Sequence, residues 1–217
     1  MEKRKCEIGA CGSFLGARKA CCFAIVCLLL IASCKTKTNI GACSNVCIQP
    51  YNGIENVYIQ ECKTAIENYY KCTVDILPIK NLPQEAYYKP RNRYRADKLI
   101  RILRSEAPKK YDRIIGLTNK DISTTKGEHY DWGILGLAFR PGKSCVVSIF
   151  RLKKNASQEK LLERLRKVSI HEFGHTLGLA HCDSKNCVMN DAKGTIKTVD
   201  KAKEELCEKC KKKLGIK

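Results

Sequence analysis

The chain has 217 residues with 41 Lys and Arg against 22 Asp and Glu, a net charge of +19, and it carries 15 cysteines but only four histidines. That length suffices for one domain with a sizeable core, and the positive balance favours anionic partners such as lipid headgroups or acidic polymers. No segment resembles a nucleic-acid-binding module, so nucleic acid is not an expected partner and the charge reads first as a solvated lysine surface.

The N-terminus is basic (Lys3, Arg4, Lys5, Arg18, Lys19) and is followed by thirteen uncharged residues, Cys21 to Ser33. A helical membrane span needs about 20 apolar residues, so this shorter run predicts the apolar region of a cleaved signal peptide over residues 1–33. Leu30-Ile31-Ala32-Ser33-Cys34 resembles a bacterial lipobox. That likeness implies lipidation of Cys34, membrane attachment through the lipid and an exported place in the cell envelope, with residues 34–45 as a tether. A signal anchor, a plain secretory signal, or a cytoplasmic protein acylated on its N-terminal cysteines are the alternatives. Loss of residues 1–33 removes five basic and two acidic side chains and leaves +16. In an oxidising compartment one or two disulfides are then expected among Cys43, Cys47, Cys62 and Cys72, with Cys145 as a further thiol.

From residue 46 to 217 the pattern is that of one α+β domain. Tyr58, Cys62, Ala65, Ile66 and Tyr69 suit one face of a helix, and the β-rich Thr73-Val74-Asp75-Ile76-Leu77 follows. Further strands are predicted near 111–118, 133–139 and 144–152. Ser157 can cap the next helix, with Glu159 in its first turn, and Leu161, Leu165 and Val168 continue an apolar stripe into His171.

Three of the four histidines lie in His171-Glu172-Phe173-Gly174-His175-Thr176-Leu177-Gly178-Leu179-Ala180-His181. Residues four apart on a helix share a face, so His171 and His175 can present both imidazoles to one zinc ion at about 2.0–2.1 Å. Glu172 points beside such an ion, where a carboxylate can act as general base on a water molecule. Gly178 permits the left-handed turn that brings His181 round as a third ligand, which leaves a fourth position open for catalysis. This pattern predicts a hydrolase; an enzyme acting on a non-peptide amide and a non-enzymatic zinc-stabilised binding module are its rivals. A structural site does not need Glu172, which argues against the second. His129 sits in the polar stretch Lys126-Gly127-Glu128-His129 and is expected at the surface.

Directly behind His181 come Cys182, Cys187 and Met189, and later Cys207 and Cys210. Two close cysteine pairs suit a closed four-thiolate zinc site that stabilises a small tail; two disulfides in an exported protein are the other solution.

Together these residues resemble the archaemetzincins, whose signature joins HExxHxxGxxHC, CxM and a distal CxxC. Pro90-Arg91-Asn92-Arg93-Tyr94-Arg95-Ala96 is similar to a second family segment, with Arg93 where glutamine is usual. The likeness runs from about residue 46 to the C-terminus. It implies a metzincin-like zincin fold: a twisted, mainly parallel sheet with an antiparallel edge strand, packed on helices that include the zinc-binding one, plus a small zinc-clamped C-terminal part. It implies a zinc metallopeptidase acting on peptide or protein substrates, and the chain is expected to be a monomer. It implies two zinc ions per chain, one on His171, His175 and His181 with Glu172 as base, the other on Cys182, Cys187, Cys207 and Cys210. Met189 would form the tight turn beneath the catalytic ion. By position, Gly133 to Phe139 would be the edge strand that receives the substrate. The family is usually intracellular, whereas this chain begins like an exported one.

Overall fold

The computed structural model describes residues 45–216. In chain order its elements are β1 (Asn45–Pro50), α1 (Asn56–Tyr70), β2 (Thr73–Ile76), β3 (Tyr87–Tyr88), β4 (Arg93–Arg95), α2 (Ala96–Glu106), β5 (Arg113–Thr118), β6 (Ile122–Lys126), β7 (His129–Ile134), β8 (Gly136–Ala138), β9 (Ser144–Ser148), α3 (Gln158–Thr176), α4 (Ile196–Lys201) and α5 (Glu208–Leu214). The predicted signal segment, Cys34 and Cys43 lie outside the described residues. The first strand begins at Asn45, one residue before the domain start expected from sequence.

Strands β1, β5 and β9 are buried along almost their whole length, as strands covered on both faces must be. They form the centre of a five-stranded sheet in the order β2-β1-β5-β9-β8, parallel throughout except for the β8–β9 pair. Alternation decides which helix each residue meets. Ile48, Ile115 and Val147 pack with Ile66 of α1 and Leu165 and Phe173 of α3, while Ile114 and Val146 on the opposite face pack with Leu99 and Leu103 of α2. The fold is thus mixed α/β with a predominantly parallel sheet and one antiparallel edge strand, the arrangement that the family resemblance implies.

A second sheet, absent from the sequence reading, has the order β3-β4-β6-β7. It corrects the strand expected over 133–139. That run divides at Leu135: β7 pairs with β6 in the second sheet, and only β8 joins the first, against β9. Leu135 is buried, and its carbonyl accepts from Ser148 N at 2.9 Å, so the chain crosses between sheets without breaking the apolar pattern. The strand expected over 144–152 likewise stops at Ser148, because Ile149–Leu152 turn back toward α3 and the Leu152 carbonyl accepts from Arg164 Nη1 at 2.7 Å.

Helix α3 begins where predicted, with Ser157 Oγ accepting from Lys160 N. Several contacts fix it beyond its apolar stripe. Tyr70 Oη donates to the Ile170 carbonyl at 2.7 Å from within the core, and the Tyr70 ring lies 4.8 Å from that of Phe173. Arg166 bridges Glu61 of α1 at 2.6 Å and Glu204 at 2.9 Å, and Arg164 pairs with Asp200 of α4. In α1 Tyr58 is buried as expected, and at the end of the helix Tyr70 is buried while the expected Tyr69 is only half-buried against the same core.

Of the one or two disulfides expected among Cys43, Cys47, Cys62 and Cys72, none joins Cys47 to Cys62. Both are free thiols and they lie on opposite faces of the main sheet, Cys47 with α2 and Cys62 with α1 and α3. Among the described residues no helix is long and apolar enough to cross a membrane.

Candidate active site

The last two turns of α3 carry His171 and His175 on one face, and the chain leaves the helix through Gly178 at φ +97°, a conformation that disfavours any side chain. The turn closes with Leu179 N donating to the Gly174 carbonyl at 3.0 Å, and it returns His181 to its partners. The His181 ring centroid stands 5.3 Å from His171 and 4.8 Å from His175, and one ring nitrogen from each of the three residues lies within 4.8 Å of the others.

The outer nitrogens are committed. His171 Nδ1 lies 2.8 Å from the Val188 carbonyl and His175 Nδ1 lies 2.7 Å from the Leu179 carbonyl. A carbonyl only accepts, so each Nδ1 carries its proton and each Nε2 turns a lone pair inward. The two Nε2 atoms are 3.0 Å apart, a repulsive approach for bare lone pairs that a shared cation relieves. Burial, then the neighbouring imidazole, pushes His171 down to about 3; burial also lowers His175 to about 4. Both are thus neutral at pH 7, the state that ligates a metal. His181 is more exposed, with Asp191 Oδ2 at 3.9 Å from its Nδ1.

Glu172 is buried beside these rings, and burial alone raises its carboxyl to about 8. It lies against β8: a Cβ on Gly136 would stand 2.5 Å from Glu172 Cγ. The histidines, Glu172 and β8 line one cleft of about 400 Å³, closed on its other sides by β6, β7 and the segment from Asn190 to Ala202. Its donor set and a nearby carboxylate in a half-dry site fit zinc-dependent hydrolysis.

Past His181 the backbone pairs Cys182 N with the Met189 carbonyl at 2.9 Å, and Met189 is fully buried with its sulfur under Gly174. Cys182, Cys187, Cys207 and Cys210 converge so that all four sulfurs lie within 4.8 Å of one another. The Cys182–Cys207 and Cys187–Cys210 sulfur separations are 3.6 and 3.9 Å. A tetrahedron with zinc–sulfur bonds of about 2.3 Å has edges of about 3.8 Å, so these spacings suit a metal rather than disulfides. Burial raises the Cys187 and Cys210 thiols; burial acts on Cys207 in the same sense, but hydrogen bonds from Cys210 N–H and neighbouring thiols bring it down to about 7.

Residues 47–215 match peptidase family M54. The chain belongs to that family. As an M54 peptidase it is a zinc metallopeptidase, and an archaemetzincin from Natronomonas pharaonis is 32% identical over 178 residues, spanning 78% of this chain and 99% of the relative. Two crystal structures share the fold of this M54 peptidase. The archaemetzincin of Methanopyrus kandleri superposes with a TM-score of 0.68 at 31% identity, covering 79% of this chain and 93% of that one. The archaemetzincin of Archaeoglobus fulgidus, complexed with malonate, gives 0.67 at 29% identity, covering 78% and 99%.

The M54 domain brings every predicted candidate together except Cys34, which is outside the described residues. His129 is exposed at the start of β7, 5.8 Å from the Trp132 ring, and takes no part in the three-histidine cluster. Two cleft residues escaped the sequence reading. Asp191, two positions after Met189, had a signal in being a carboxylate so close to the motif; Gly136 had none, since nothing in an apolar strand marks the side chain it must admit.

Proposed function

We propose that His171, His175 and His181 hold the catalytic zinc ion and that Glu172 is the general base of peptide-bond hydrolysis. The observation that supports this most is the pairing of committed Nδ1 atoms with inward Nε2 lone pairs beside a buried carboxylate. Zinc held by these three imidazoles would supply Lewis acidity toward the scissile carbonyl. Glu172 Oε takes a proton from the attacking water and delivers it to the leaving amine nitrogen. Strand β8, with one edge paired to β9, offers its free edge to an extended peptide, which makes Gly136–Ala138 rather than the whole of 133–139 the docking strand. Met189 forms a hydrophobic floor under the imidazoles. We assign a second zinc ion to Cys182, Cys187, Cys207 and Cys210, where it fastens the tail after Met189 as the fold's small C-terminal part.

Glu172→Gln tests the assignment. The variant keeps its zinc and loses peptide hydrolysis by a factor of about 10²–10⁴; hydrolysis at the wild-type rate would sink the role of Glu172. Elemental analysis with thiol counting should find two zinc ions and four metal-protected thiols. The export reading stands on residues 1–34 alone: removal of 1–33, lipid on Cys34 and a tether up to the domain. Mass spectrometry of the N-terminus decides it, and an unmodified Cys34 rejects it.

A further inference from the structure

Beside the catalytic cleft lies a second, larger depression of about 1500 Å³, and the two share Leu135 and Gly194 as a common wall. Its charge is one-sided. Eight Lys and Arg side chains line it against two Asp, a steeper ratio than the 41 to 22 of the whole chain. Some of these cations are consumed internally. Arg93 and Arg151 converge on Asp121 at 3.1 and 2.7 Å, and Arg164 holds Asp200 at 2.8 Å. Both acids are therefore already neutralised by buried or half-buried arginines. What remains is the exposed set of Lys120, Lys153, Lys154 and Lys197, whose ammonium groups have no carboxylate partner among the described residues; of these Lys153 leans over the Tyr58 ring at 5.7 Å, which leaves Lys120, Lys154 and Lys197 unengaged. Arg91 adds a fifth exposed cation, and the acid it approaches, Asp131 at 4.0 Å, is already held by Arg93 at 3.0 Å.

The depression is not merely polar. Phe150 is 52% exposed on its rim, one of few large apolar side chains so presented, and Tyr87, Tyr94 and Ile196 line the same space. Apolar contacts interleaved with unneutralised lysines match a peptide with acidic side chains better than they match a bare anion. The catalytic cleft continues the trend, since Lys126, Arg140, Lys167 and Lys193 face Glu172 and Asp191 there.

We propose that this groove receives the acidic flank of a peptide whose scissile bond lies in the neighbouring cleft, so that the enzyme selects substrates carrying Asp and Glu. The inference rests on that cleft being the site of peptide hydrolysis. Lys120, Lys154 and Lys197 then act as specificity determinants through charge attraction that salt screens.

Two fluorogenic peptides with one cleavable core, flanked either by Asp and Glu or by Asn and Gln, test this on the zinc-loaded wild-type protein. The acidic peptide should show a kcat/KM about tenfold higher at low salt, the advantage expected from a few partly exposed ion pairs, and the gap should close at high salt. The triple variant K120E/K154E/K197E should bring the ratio to one or below; the salt comparison on wild type needs no variant and holds even if that one folds poorly. Anisotropy of the same peptides, labelled, on Glu172→Gln protein reads binding without turnover. Preferred binding of the acidic peptide with no cleavage by wild type would support the groove while overturning the hydrolytic reading. Equal kcat/KM and equal binding for both peptides overturn the proposal. So does a triple variant that loses adsorption to phosphatidylserine vesicles with its peptide ratio unmoved, which would assign these lysines to a membrane surface.

Discussion

Gly136 and Glu172 occupy each other's space: the hydrogen on Gly136 that any other residue would replace with Cβ points at Glu172 Cγ, 2.5 Å from where that carbon would sit. Strand β8 and the Glu172 side chain, the proposed docking strand and the proposed base, are thereby packed directly against each other. Gly136→Ala should displace the Glu172 side chain and lower kcat/KM about a hundredfold while zinc content stays at the wild-type value, because misplacing a reacting group by about 1 Å costs that much. Steady-state kinetics beside metal analysis checks both halves, and wild-type turnover would show that Glu172 has slack.

Asp191 Oδ2 stands 3.9 Å from Nδ1 of His181, the one exposed member of the three-histidine cluster, close enough to become its outer partner once a metal draws the ring in. Asp191→Asn keeps the shape and removes the charge. Loss of such an outer partner commonly costs 10- to 100-fold in metal affinity, so a chelator competition should strip the first zinc from this variant at about that much lower chelator strength. Unaltered competition would mean that His181 is oriented by its turn alone.

In the metal-free protein burial raises the Glu172 carboxyl from 4.5 to about 8. The folded state therefore prefers the neutral form. Its stability from this residue is complete below about pH 4.5 and is lost as pH rises toward about 8, where a charge must stay buried. Metal-free Glu172→Gln escapes that loss. Thermal melts should place it above metal-free wild type at about pH 8, by a few kcal/mol at most, with the difference vanishing near about pH 4.5. A gap independent of pH would show that Glu172 is hydrated rather than dry.

Cys210→Ser removes a buried corner of the four-thiolate cluster. The variant should retain one zinc instead of two and lose on the order of 3–5 kcal/mol of stability, with proteolysis opening the chain after Met189 first. A full complement of two zinc ions would contradict the second site.

Local chemistry made the catalytic helix legible. The Ser157 cap, the stripe through Leu161, Leu165 and Val168, and the glycine at 178 each act within a turn or two, and each is in place. The division at Leu135 was not legible, because alternation gives the side a residue faces and not the sheet its strand joins. The second sheet was hidden for a related reason: β3 and β4 are two and three residues long, and Arg93 and Arg95 enter the interior only because distant residues meet them there, Asp121 and Asp131 for Arg93 and Thr125 and the Tyr130 carbonyl for Arg95. Cys47 and Cys62 looked pairable in a list of spare thiols, and only the sheet between them rules it out.

His181 and Cys182 are consecutive residues, so a single peptide bond joins the third imidazole to the first thiol of the clamp. Closing Cys182 on Cys207 as a disulfide would draw together sulfurs now 3.6 Å apart, and the pull would arrive one residue from His181. Oxidant and chelator would then have the same signature in an activity assay, although only one of them touches an imidazole. For a protein that keeps its thiols in a cluster this close to its chemistry, the redox state of the preparation is a variable of the enzyme itself, to be controlled as strictly as its metal.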